Sequence, residues 1–318
     1  MKQKLNLEEV LKYDPYRTYL GSGYRDDVIT CSNVQFLVDE EKGITADLSF
    51  RRSFLAESQQ GFHLSAMNVQ VLVPFLCEQL VKAQLAYRKE MLTDFLIMSS
   101  EQHYKQFITE QDRLRCVIKH VATRGHEYAF EYGFSVADRA QPAFLGKMLF
   151  AAKVEHTPAA IYIPATMQVQ AEEAYKLKDV WCDEQQLSVA GLLVNKAKRL
   201  APVQVHGAVG LLMKGLFCQL LQMDRQQTMD ARAYQIVQHY DLRIPTEKKI
   251  SVTLQLDREM HLSVKDGEEW GFFTARYEVG EVMEGVLRIA NPMKGIEERQ
   301  KERLQDYFTP HTSPVHTL

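Results

Sequence analysis

No stretch of the 318-residue sequence approaches the roughly 20 consecutive apolar residues that a membrane span needs. The opening Met1-Lys2-Gln3-Lys4-Leu5-Asn6 is polar and holds no apolar signal core. Cysteine is scarce: Cys31, Cys77, Cys116, Cys182 and Cys218 are odd in number, scattered and without a CxxC pair. That pattern excludes a disulfide framework and a zinc ribbon, and it predicts reduced thiols, no structural metal and a cytoplasmic protein. An excess of one charge is lacking too. Thirty-eight Lys and Arg against 41 Asp and Glu leave a net charge of -3, so there is no global basic field for nucleic acid. The basic clusters Arg51-Arg52 and Lys196, Lys198-Arg199 are short and read as solvated faces. GxSxG, P-loop and GxGxxG motifs are absent, and His103, His120 and His126 are too loosely spaced to argue a metal.

What is present is a sequence with 46% apolar and 25% charged residues, typical of a globular core, and long enough for one large domain or two to three ordinary ones. Its informative feature is self-similarity at about half its length. The segment 39–50 lies over 183–194, matching Asp39, Glu40, Ala46 and Leu48 with Asp183, Glu184, Ala190 and Leu192. Basic residues follow in both copies, then a polar stretch ending in His63 or His206, then a long apolar segment in which Cys77 falls on Cys218. Farther on, 114–120 resembles 250–256, and Gly146 to Ala152 resembles Gly285 to Asn291. The separations fall from 144 (Asp39, Asp183) through 143 (His63, His206) and 141 (Cys77, Cys218) to 139 (Gly146, Gly285). An ordered drift of this kind is what small loop deletions would leave in a duplicated domain.

Each copy reads as strand, loop, long helix and several strands. The helix follows from length and the lack of period-two alternation, and from being apolar nearly all round over 64–76. Pro74 predicts an irregular or kinked first turn. The strands at 128–136 and 270–277 are aromatic and β-branched, the composition of a half-buried sheet, and Asp266-Gly267 is a hairpin turn signal. Leu5 to Tyr13 reads as a short helix ended by Pro15, Gly21 to Gly23 as a turn in a polar leader, 297–306 as a charged helix, and 309–318 as a flexible tail. The expected fold class is α+β, an antiparallel sheet wrapped around one long central helix, twice. The division is a leader (1–27), a first unit (28–155), a linker (156–176), a second unit (177–293), and a charged helix with tail (294–318).

This order of elements resembles the tandem, or double, hot-dog fold. His63 to Asn68 is similar to the segment opening the central helix of FcoT-like acyl-CoA thioesterases, and Val282 to Pro292 to the last strand of that family. The resemblance covers roughly residues 30–292. It implies an enzyme of acyl thioesters in fatty-acid or polyketide type metabolism, a thioesterase or a dehydratase. Its partners would be acyl-CoA or an acyl carrier protein, with no cofactor beyond the coenzyme A or phosphopantetheine of the substrate, and two chains could associate as a homodimer. It also implies sites between units, where a loop histidine of one faces the central helix of the other.

Mapped onto this sequence, those groups are His206 with Glu78 across one interface, and His63 with Gln219 across the other. Only the first pairs a base with an acid, so one competent and one degenerate site are expected. Asn68 and Gln70 are candidates to orient a thioester carbonyl. The alternatives are plain: histidines that cap helices or face solvent, a Glu78 on a wet helix face, and Asn68 and Gln70 that satisfy backbone groups near Pro74. The Gly and Pro residues that small hot-dog dehydratases place between histidine and glutamate are missing here, which favours a second reading, a non-catalytic double hot-dog that binds an acyl chain or a carrier protein.

Overall fold

Alternating burial sets the strands, and long, mostly buried apolar segments set two central helices. In a computed structural model that describes residues 2–18, 20, 23–37, 42–52, 64–104, 113–136, 141–156, 164–170, 175–195, 201–230, 234–242, 249–265 and 267–312, β1 (Gln3–Lys4) and α1 (Leu7–Leu11) lead into a first unit. That unit is β2 (Asp27–Leu37), β3 (Gly43–Arg52), α2 (Ala66–Tyr87), β4 (Met91–Tyr104), β5 (Leu114–Arg124), β6 (Glu127–Val136) and β7 (Phe144–Glu155). β8 (Met167–Val169) leads into a second: β9 (Tyr175–Asp183), β10 (Ser188–Asn195), α3 (Pro202–Leu221), the short α4 (Arg225–Asp230), β11 (Tyr234–Leu242), β12 (Lys249–Lys265), β13 (Glu268–Val279) and β14 (Met283–Pro292). Helix α5 (Glu298–Tyr307) and strand β15 (Thr309–Thr312) follow.

The two units share one topology. The first orders its strands β2-β3-β5-β6-β7-β4 and the second β9-β10-β12-β13-β14-β11, all antiparallel, and β4 pairs with β11 to make one continuous sheet. Each half curls around its own long helix, and the fold is a double hot-dog of the α+β class. The leading strands are exchanged: β1 precedes the first unit but pairs with β9 of the second, and β8 precedes the second but pairs with β2 of the first. The segment expected as a linker therefore supplies an edge strand.

Equivalent residues are fixed by shared geometry. Gly146 lies opposite Tyr132, and Gly285 opposite Tyr277, each with the tyrosine ring where a Cβ would go. The Gly146–Gly285 match is thus structural, as is that of 114–120 with 250–256. The match in β3 and β10 is not. Ile44, Ala46 and Leu48 are buried, but so are Val189, Gly191 and Leu193, while Ala190 and Leu192 are only partly buried. The true correspondence is one residue later, and a slip of one in a strand exchanges its faces. Both first strands carry a bulge with a left-handed residue, Asn33 (φ 50) and Asp179 (φ 47). The helix match fails as well. Ser65 and Ala201 are the N-caps, so Cys77 and Cys218 stand at different heights, and the steady drift in separation does not hold.

Helix α2 opens with a capping box: the Asn68 N–H donates to Ser65 Oγ (3.1 Å) and the Ser65 N–H to Asn68 Oδ1 (3.0 Å). Pro74 stands in its third turn, not its first, within an unbroken helix. Two further expectations change. The leader is not a polar appendage, because Leu5, Leu7 and Leu11 are buried. The tail does not begin at 309, because 309–312 form β15, parallel to β12; residues 313–318 lie outside those described. The charged helix and the 266–267 hairpin are where expected, with Gly267 at φ +79 and Lys265 paired with Glu268; Asp266 itself lies outside the described residues.

Candidate functional site

The N-terminal turns of the central helices bury polar side chains at matching positions. The third helical residue is Asn68 in α2 and Gln204 in α3; the fifth is Gln70 and His206. All four are at most 9% exposed. A buried polar group without partners is costly, and most of these have described ones. Asn68 is committed to structure: its Oδ1 accepts from Ser65, and its Nδ2 donates to the buried Asp27 at 2.9 Å. Gln204 Oε1 accepts from the Ala201 N–H at 2.9 Å and closes the start of α3.

Gln70 points elsewhere. Its amide donates to Ser100 Oγ at 3.4 Å, and the amide of Gln102 donates to the same oxygen at 3.3 Å. Ser100 and Gln102 are two apart on β4, so both face inward, and they sit on the strand that joins the units, opposite Tyr240 and Gln238 of β11. Among the described residues Gln102 Oε1 has no hydrogen-bond partner, although the residue is fully buried. A cleft of about 300 Å³ runs along β4, β6 and β7 on the sheet face that carries the exposed Glu131–Lys147 pair, with Glu101 and Val121 also in its wall. The result is a buried polar triad, Gln70–Ser100–Gln102, under the start of α2 and beside the junction.

Of the site residues expected from sequence, Asn68, Gln70, Glu78 and Gln219 each engage a different partner. His206 is not in a loop before its helix; it is the fifth residue of α3, which begins at Pro202. The histidine ended a polar stretch in the sequence, but Pro202 is well suited to the first helical position and starts the helix earlier. Glu78 lies on the half-exposed side of α2, paired with Lys82 at 2.6 Å one turn on. Gln219 is near the far end of α3, where its amide donates to Glu184 Oε1 at 2.9 Å. His63 lies outside the described residues. Sequence reading missed Ser100, Gln102 and Asp27. Two polar residues at alternate positions in 98–103 carry the signal, but on a strand of unknown neighbours they read as solvent-facing.

The five cysteines are free and buried, and burial pushes the thiols of Cys31 and Cys182 up to about 12, so they stay protonated at neutral pH. Among the described residues no group of three His, Cys, Asp or Glu side chains could hold a metal, and no described helix is long and apolar enough to cross a membrane.

No family model matches the sequence, and no curated protein matches it. Solved structures do show similarity. The tesB protein MAP1729c of Mycobacterium avium subs paratuberculosis is 7% identical, with 81% of this chain and 96% of that one covered, at a TM-score of 0.43. The 12:0-ACP thioesterase from Umbellularia californica is 8% identical over 78% and 93%, at 0.43. The dehydratase domain of RzxB from Pseudomonas fluorescens is 7% identical over 81% and 96%, at 0.41. At these identities and TM-scores they assign no residue role to this chain.

Proposed function

We propose that this protein processes acyl thioesters at the junction of its two units, with the thioester carbonyl held at the Gln70–Ser100–Gln102 triad and His206 as the general base. The observation that carries this reading is the triad itself, three polar side chains buried beneath a central helix, in which the Gln102 amide carries a second N–H beyond the one that donates to Ser100 Oγ. Amide N–H groups fixed in a dry site are suited to charge that develops on a carbonyl oxygen. His206 is the only titratable side chain in the first two turns of either central helix, and an imidazole can carry a proton in both directions near neutral pH. This reading gives Glu78 and Gln219 no part, because Lys82 pairs with the first and Glu184 with the second.

The test is release of free thiol from a panel of acyl-CoA and acyl-carrier-protein thioesters, with 3-hydroxyacyl thioesters added to detect dehydration. His206→Ala is expected to lower turnover about 100-fold or more, Gln102→Leu to lower it about tenfold or more, and Glu78→Gln to leave it near the parent value. Full turnover in His206→Ala would remove the histidine from the mechanism. The alternative, an acyl-binding double hot-dog without chemistry, is favoured by one observation: Glu78, the carboxylate expected opposite His206, is bound to Lys82. Tight binding of an acyl-CoA with no product from any substrate would establish that reading.

A further inference from the structure

At the opposite end of α2 the two units diverge. In the first, the His120 N–H donates to the Lys42 carbonyl at 2.8 Å; in the second, the Leu256 N–H donates to the Leu187 carbonyl at 2.9 Å. These bonds make Lys42 equivalent to Leu187, and His120 to Leu256. The Tyr132–Tyr277 equivalence likewise sets Tyr128 against Phe273. Leu187, Leu256 and Phe273 are all buried, and Phe308 packs on the last of them, its ring 5.1 Å from that of Phe273. Helix α5 also caps α3 there, with Gln300 Nε2 donating to the Leu221 carbonyl (3.0 Å) and Arg303 Nε to that of Leu220 (2.9 Å). In the first unit the same space is a cleft of about 350 Å³ lined by Lys42, Gln84, Arg88, His120, Thr123 and Tyr128 among others.

The chemistry of that cleft is one-sided. Among the described residues its lining has two cations and no carboxylate. Two buried nitrogens in it, Gln84 Nε2 and His120 Nδ1, lack a partner among the described residues, and a buried polar group left unmet is destabilising. The other ring nitrogen of His120 is used, 3.0 Å from the Ala122 carbonyl and 2.8 Å from the Thr123 hydroxyl. The ring stacks on Tyr128, centroids 5.7 Å apart, which fixes the direction of Nδ1.

We propose that the cleft formed by Lys42, Gln84, Arg88, His120 and Tyr128 binds a phosphoryl dianion, free or carried on a small organic molecule, with its oxygens on the two cations, the Gln84 amide and Nδ1 of His120. This does not rest on the thioester reading, which concerns the other end of α2. The C-terminal end of a helix is the negative end of its dipole, so affinity for an anion depends on Lys42 and Arg88. Burial, then the fields of Lys42 and Arg88, hold the His120 ring below its ordinary pKa, against the pull of the Ala122 carbonyl. Glu90 acts on the neighbouring Tyr128, as does Arg88. An anion at Nδ1 favours the protonated ring, so its binding must tighten as pH falls through the His120 transition.

The experiment follows the His120 ring resonances by NMR in the full chain, at constant ionic strength, during titration with inorganic phosphate, ribose 5-phosphate, sulfate or chloride. Saturation by phosphate or ribose 5-phosphate at millimolar levels supports the site, and the tighter of the two identifies the source. Sulfate stays a dianion, so its affinity should rise on acidification and the His120 pKa should rise with sulfate. Lys42→Gln and Arg88→Gln should each weaken binding about tenfold, with the thermal melt showing that both fold. The proposal is overturned if chloride moves the resonances as far as the dianions do, if no dianion saturates, or if the Lys42→Gln/Arg88→Gln double variant binds like the parent.

Discussion

Glu184, in the turn between β9 and β10, joins segments distant in sequence. Its carboxylate accepts from Gln219 of α3, from Gln3 of β1 and from the Tyr307 hydroxyl of α5, each at 2.9 Å. Burial pushes its pKa up, the hydrogen bonds from Gln219, Tyr307 and Gln3 pull it down, and the balance leaves the carboxyl below its ordinary value. A group depressed in the folded state contributes stability above its unfolded pKa, about 4.3 for Glu, and that contribution is lost as pH falls through the folded value. Urea midpoints of the parent and Glu184→Gln should therefore differ most near neutrality and converge on acidification. A gap that stays constant down to the acid limit would show that charge is not what these donors recognise. The same residue shows how sequence reading strays at this scale. Gln219 reads as the counterpart of Glu78 because of its place beside Cys218, but its height on the helix puts it against Glu184. His206 reads as a loop residue at the end of a polar stretch, yet it lies inside α3, since nothing before Pro202 advertises an N-cap.

At the scale of elements, glycine–tyrosine pairs lock β6 to β7 and β13 to β14. The ring of Tyr277 occupies the place of a Gly285 side chain, as Tyr132 does over Gly146. Adding one methyl there forces a buried aromatic off its rotamer. Gly285→Ala should cost about 1–3 kcal/mol in chemical denaturation. Combined with Tyr277→Ala it should cost clearly less than the two single losses added together, because the partners are in contact. Strict additivity would mean that the ring is not the obstacle. These glycines were legible as the start of an apolar run repeated 139 positions apart, and both helices were legible from unbroken apolar segments. The β3–β10 match is off by one residue because the paired acids Asp39-Glu40 and Asp183-Glu184 set the alignment of the two segments. The bulges at Asn33 and Asp179, which decide the phase of each strand, leave no alternation break that can be told from an ordinary polar position.

At the scale of the whole molecule, the leader belongs to the far unit, a fact no local pattern encodes because it depends on pairing across more than 150 residues. It covers the outer edge of β9. Gln3 and Lys4 pair with Cys182 and Trp181, the Leu5 N–H donates to the Val180 carbonyl at 2.8 Å, and the Tyr16 hydroxyl bridges Leu177, accepting from its N–H (2.7 Å) and donating to its carbonyl (2.9 Å). Leu7 packs so closely on α3 that a Cβ at Gly215 would lie 2.7 Å from it, and Leu20 and Tyr175 stand in the same relation to Gly207. Burying a leucine contributes about 1.5–3 kcal/mol, so loss of Leu5, Leu7 and Leu11 is comparable with the total stability of about 5–15 kcal/mol that a domain possesses. Edge strands left unpaired also invite association. Deletion of residues 1–16 should therefore collapse hydrogen-exchange protection in α3 and β9 and promote concentration-dependent aggregation, while α2, whose edge strand β2 is covered by β8, keeps its protection. Equal loss in both helices would mean that the two halves unfold as one cooperative unit through β4 and β11, and unchanged protection in α3 would mean that the leader's contacts contribute little to holding it.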